Sequence, residues 1–134
     1  MRSVRFDPDA DLIRVGAFVA GRSERRAARL ALDTASSTTI LTPEFVTLLG
    51  YDQRDVGRRT VIRSAIGSEP GYLLQVKRFT ALGLSIADLT VHAHSLPAGY
   101  DIDGLLGLSF LRHFNLELRI AEGLSRVERA VPVG

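Results

Sequence analysis

Glycine, proline and aspartate cut this chain into short extended stretches rich in apolar and β-branched residues. The segments left between them are too short for a helical core. Residues 12–20 read as a strand, 21–24 as a turn and 27–33 as the returning strand. Residues 38–41 resume the extended form after the small residues 34–37. Thr42, Pro43 and Glu44 then have the form of an N-cap with proline in the first turn, opening a helix over 43–49 that Gly50 ends. Residues 60–66 and 72–82 flank the glycine- and proline-bearing segment 67–71, which predicts a long hairpin. A further strand is expected at 89–96, a loop at 97–103, a short helix within 105–114 and a last hairpin from 115–120 and 124–127. Many short strands with one or two short helices give an all-β class, and their number and length suit a small, partly closed β-barrel.

At 134 residues the chain suits one domain, 1–134, and its 46% hydrophobic content is enough to fill a core without staples. The apolar stretch 12–20 is too short to span a bilayer and is interrupted by Arg14, so no membrane partner is expected. The first residues carry Asp7, Asp9 and Asp11 where a secretory signal would be apolar, and cysteine is absent. Both features lead to an expectation of a cytoplasmic protein. The absence of cysteine also removes disulfides, thiolate metal sites and cysteine nucleophiles. All but one of the 17 basic residues are arginine, with a local cluster at Arg22, Arg25, Arg26 and Arg29. Acids elsewhere bring the net charge to only +2, and aromatics do not alternate with the arginines, so nucleic acid is not an expected partner.

Two segments carry chemistry. In the first, the apolar strand Leu30-Ala31-Leu32 runs into Asp33-Thr34-Ala35, followed by small hydroxyl residues. In the second, Asp103-Gly104 leads to Leu105-Leu106-Gly107 and on to 108–113. Taken singly, the first reads more often as a turn-forming aspartate, and the second equally fits a glycine-rich turn into a buried helix. In this order, with a hairpin around Gly67 between them, they resemble the retropepsin-like aspartic peptidases, including their single-domain bacterial members. The resemblance spans about residues 12–127.

The resemblance implies a retropepsin-type barrel with a flap hairpin, and an endopeptidase acting on extended polypeptide without a cofactor. Asp33 would be catalytic. Hydrolysis then needs a second carboxylate, and only Asp33 stands in the matching context, so the partner would be Asp33 of another copy in a homodimer. Thr34 would lock the two active-site loops together. Ala35 meets the family's demand for a small residue where retroviral members mostly carry glycine. Leu105, Leu106 and Gly107 would brace the Asp33 loop, and Ile66, Gly67 and Ser68 would present flap amides to substrate. The competing reading is a catalytically silent dimerisation or peptide-binding module of the same fold.

Other patterns do not complete a site. Asp7, Asp9 and Asp11 open like a calcium loop, but Leu12 and Phe18 stand where glycine and glutamate are needed. His92 and His94 share a strand face without a third metal ligand. Ser36 and Ser37 lack a nucleophile elbow, and Gly104 and Gly107 are too sparse for a phosphate loop.

Overall fold

Val15, Ala17 and Val19 are buried while Gly16 and Phe18 between them face outward, the two-residue period of a strand with one wet face. They belong to β2 (Arg14–Ala20) in a computed structural model that describes residues 2–52, 54–64 and 67–129. Before β2 lies β1 (Arg2–Arg5), and after it come β3 (Arg25–Leu32), β4 (Ile40–Leu41) and helix α1 (Pro43–Leu48). The hairpin strands β5 (Val56–Ser64) and β6 (Gly67–Ala81) lead to β7 (Leu84–Ala93) and β8 (Gly104–Leu106). Helix α2 (Leu108–Leu111) and the hairpin β9 (Phe114–Arg119) and β10 (Leu124–Arg129) complete the chain.

The strands run in the order β2-β3-β8-β4-β7-β6, and β6 pairs back onto β2 through Ala17↔Ala81 to Ala20↔Arg78. The all-β expectation holds, and the barrel is fully closed, by six strands of mixed direction. β5 extends it as the outer arm of the hairpin. A separate three-stranded sheet, β1-β10-β9, packs beside it. Phe79, Phe110, Leu30, Leu74, Leu106 and Val127 are fully buried, joining barrel, helix and second sheet in one core. Phe110 bridges them: its ring centroid lies 5.4 Å from that of Phe79 and 5.3 Å from that of Phe114.

Helix α1 starts as its sequence demands. The Thr42 hydroxyl accepts the Phe45 amide at 3.3 Å, Pro43 occupies the first turn, and Gly50 follows the C-cap with φ of 86°. Elsewhere the boundaries differ. Ser64 and Gly67 face each other, so Ser68 to Gly71, expected between the two runs, are strand residues of β6. The strand expected at 89–96 begins at Leu84 and stops at Ala93. The first part of the expected helix in 105–114 is strand β8, and α2 takes only its middle. β1 has no apolar alternation and forms by pairing with β10, where the Ser125 hydroxyl also donates to the Val4 carbonyl at 2.9 Å. No helix among the described residues is long and apolar enough to cross a membrane.

Candidate active site

Asp33 is the first residue beyond β3. Its amide donates to the Leu106 carbonyl at 3.0 Å, and the preceding Leu32 amide to Ile13 at 2.8 Å. The chain then folds back on the aspartate. Asp33 Oδ1 accepts the Ala35 amide at 3.0 Å, and its carbonyl accepts the Ser36 amide at 3.2 Å. An aspartate turn of this kind fixes the carboxylate against its own backbone. Asp33 is half-buried, whereas Thr34 and Ala35 are exposed. Ala35 is not among the residues with positive φ, so this loop makes no use of the conformational freedom that glycine would bring.

The loop is braced because β8 is threaded between the strands on either side of it. β8 runs parallel to β3, with Leu30↔Gly104 and Leu32↔Leu106, and antiparallel to β4, with Ile40↔Leu105. Close approach explains the two glycines here. A methyl group on Gly107 would stand 2.0 Å from the Thr38 carbonyl oxygen, and one on Gly104 would stand 2.0 Å from that of Ile40. Past Gly107, the Leu108 and Ser109 amides donate to the Ser36 and Ser37 carbonyls at 2.8 and 3.1 Å. The fully buried Thr39 is the hub: its hydroxyl accepts the Gly107 amide at 3.2 Å and the Ser109 hydroxyl at 2.9 Å. Ser109 Oγ in turn accepts the Thr39 amide at 2.9 Å.

Asp33, Thr34 and Ala35 are thereby brought together with Leu106 and Gly107, while Leu105 lies alongside in the wall of the adjoining cavity. Gly67 and Ser68 lie in β6, facing Ser64 and Arg63, and no described hydrogen bond links them to Asp33. Ile66 lies outside the described residues. Sequence reasoning missed Thr39 and Ser109, and it named Asp103 without giving it a role. Asp103 pins the far end of the arrangement: its carboxylate accepts the Arg29 amide at 2.8 Å, its amide donates to the Arg29 carbonyl at 2.7 Å, and its carbonyl accepts the Thr42 amide at 2.9 Å. Its place after a proline- and glycine-bearing loop was the one available signal.

A cavity of about 300 Å³ opens beside Asp33, walled by Leu12, Leu32, Leu96, Pro97, Ile102 and Leu105. Asp33 is the ionisable acid in this wall. The loop forming one side is tied to the barrel by two arginines. Arg14 donates to the Tyr100 carbonyl at 2.9 Å, and Arg29 pairs with Asp101.

The remaining candidates have local partners. Arg22 reaches Asp55 at 3.2 Å, Arg26 reaches Glu24 at 2.8 Å, and Arg25 lies 4.6 Å from the Phe18 ring centroid. Asp7 accepts the Asp9 amide, and Asp11 pairs with Arg14. His94 is buried, with Nδ1 2.7 Å from the Ser95 carbonyl. Burial, and then the neighbouring His94, push the His92 imidazole below its ordinary pKa. No group of three or more potential metal ligands occurs among the described residues.

Comparison with known proteins agrees with this architecture. The aspartyl protease family model matches residues 17–110, more than half of the chain, from within β2 to within α2. Among curated proteins, none matches this chain at the sequence level. Among solved structures, a retropepsin-like aspartic protease from Rickettsia conorii superposes with a TM-score of 0.68 at 22% identity, covering 92% of this chain and 94% of its own. The EIAV protease, solved with an inhibitor, superposes with a TM-score of 0.59 at 19% identity, covering 81% of this chain and 92% of its own. The chain belongs to the aspartyl protease family and has the fold of its retropepsin-like members.

Proposed function

We propose that this protein is an aspartic endopeptidase whose active site is shared between two copies, each contributing Asp33. The observation that carries this reading is the setting of Asp33: a carboxylate held by its own turn, next to an apolar cavity, on a loop braced by β8 and α2. The two nearby acids that precede β8 are engaged elsewhere, Asp101 with the Arg29 guanidinium and Asp103 with the Arg29 amide. Their engagement there supports the symmetry mate of Asp33 as the second carboxylate.

Two carboxylates in contact cannot both ionise, so the pair would share one proton. The ionised member takes a proton from a water placed between them, and that water attacks the scissile carbonyl carbon. The protonated member donates to the carbonyl oxygen. Collapse of the tetrahedral species returns a proton to the leaving amine and restores the pair. An extended substrate would lie along the β5–β6 hairpin at Ile66, Gly67 and Ser68, bound by strand pairing. The cavity beside Asp33 suits a bulky apolar side chain next to the cut bond. Thr34 would meet its symmetry mate and hold the two loops in register.

The test is cleavage of a peptide library by the wild type and by Asp33→Asn from acidic to neutral pH. Cleavage next to bulky apolar residues, abolished in Asp33→Asn, is expected. A folded wild-type dimer that cleaves nothing at any pH would leave a silent binding module.

A further inference from the structure

Arg59 stands on the inner face of the hairpin root. It pairs with Tyr72 as Val56 pairs with Leu74, and cross-strand partners share a face. Leu74 is fully buried, so this face looks into the protein. The two pairs are out of step. Three steps along β5 lead from Val56 to Arg59 where two steps along β6 lead from Leu74 to Tyr72, so one extra residue bulges from β5. Gly57 lies in that bulge, and a methyl group on it would stand 3.0 Å from the Leu73 carbonyl oxygen.

A cavity of about 300 Å³ opens at the bulge, between the hairpin root and α1. Val46, Val56 and Leu74 give it an apolar floor, and Tyr51 and Tyr72 stand beside them. Tyr51 is fixed in place: its hydroxyl donates to the Ala20 carbonyl at 2.8 Å and accepts the Lys77 amide at 3.2 Å. Burial, and then Glu44, raise the Tyr72 phenol above its ordinary pKa, so it stays a hydrogen-bond donor. No wall of this cavity belongs to the one beside Asp33. Leu73, between Tyr72 and Leu74, turns to the opposite face of β6 and pairs with His92. That row runs on through Ile40 to Leu105, in the wall of the Asp33 cavity. The two cavities therefore open on opposite faces of the sheet.

The charges around this cavity are unequally engaged. Asp52, also in its wall, is bound by Arg54 at 2.7 Å and approached by Arg22 at 3.9 Å. Asp55 meets Arg22 at 3.2 Å. Arg59 joins no ion pair among the described residues. An apolar floor with one uncommitted guanidinium at its edge fits a small molecule whose apolar body ends in an anion. We propose that this cavity binds a small aromatic carboxylate, with its ring on Val46, Val56 and Leu74 and its carboxylate held by Arg59 and the Tyr72 hydroxyl. The site is independent of the peptidase reading, and a protein without peptidase activity would bind the same ligand.

The probe is 3-phenylpropionate, titrated into the full chain and followed by backbone amide shifts in NMR. Binding with a Kd of about 1 mM is expected, as suits a ligand of this size. Shifts should centre on Val46, Arg59 and Tyr72 and leave Ile102 and Leu105, at the Asp33 cavity, unmoved. The uncharged isostere 3-phenylpropanamide should bind about tenfold more weakly, and Arg59→Gln should weaken the carboxylate by the same factor. Val56→Phe, which fills the floor, should abolish binding. Arg59 is exposed, so Arg59→Gln keeps the test decisive even if Val56→Phe does not fold. No shift up to about 10 mM probe, shifts centred on Ile102 and Leu105, or undiminished affinity for the amide or in Arg59→Gln would overturn the proposal.

Discussion

Thr39 holds three parts of the candidate site at once. Its hydroxyl receives the Gly107 amide and the Ser109 hydroxyl, and its amide is bound by Ser109 in return. Thr39→Val keeps the volume but leaves a buried amide and a buried hydroxyl without their acceptor, at a cost of about 1–3 kcal/mol. The expected result is a lower denaturant midpoint and a fall in kcat of about tenfold with KM little changed, since Thr39 positions Asp33 without touching substrate. Thr39→Ser, which keeps the hydroxyl, should recover most of both. Asp33 and Gly107 were legible in the sequence because their types are unusual where they stand: an acid ending an apolar strand, and a glycine in an apolar run. Thr39 and Ser109 were not. The chain is rich in hydroxyl residues around position 36, and nothing local tells which of them meets a partner 70 positions away.

β7 connects the long hairpin to the strand that follows the Asp33 loop, pairing with β6 along most of its length and with β4 at Ile40↔His92. His92 therefore sits at a junction between elements, and its imidazole is held below the ordinary value by burial and by His94. For a base with a lowered folded pKa, the unfolded chain takes up its proton first. This contribution to stability is complete above the unfolded pKa of about 6.5 and is lost as pH falls below it. Thermal midpoints measured from about pH 7 down to about pH 5 should fall for the wild type and fall less for His92→Leu. Equal slopes in the two proteins would assign the acid sensitivity to other groups.

Element boundaries were harder to read than element types. Gly67 and Pro70 read in sequence as turn punctuation, yet Pro70 faces Val61 in a stretch of β6 that has not yet met β7. In a two-stranded ribbon the missing proline N–H need not break a ladder bond, so proline is tolerated there. β8 was absorbed into a helix because three apolar residues carry no period. β1 carries no strand signal because Arg2, Ser3 and Arg5 surround its one apolar residue, Val4, and only its pairing with β10 makes it a strand.

For the whole molecule, closure of the barrel and placement of the second sheet both follow from long-range pairing, which the strand count foreshadowed without specifying. The decisive property lies one level higher. One chain presents one suitably placed Asp33, so the proposed chemistry belongs to a pair of chains. Mixing wild type with Asp33→Asn at constant total concentration, under conditions where subunits exchange, measures this directly. If every active site takes an Asp33 from each of two copies, activity follows the square of the wild-type fraction, and an equal mixture retains about a quarter of full activity. A linear fall, with about half of the activity left in the equal mixture, would contradict the shared site.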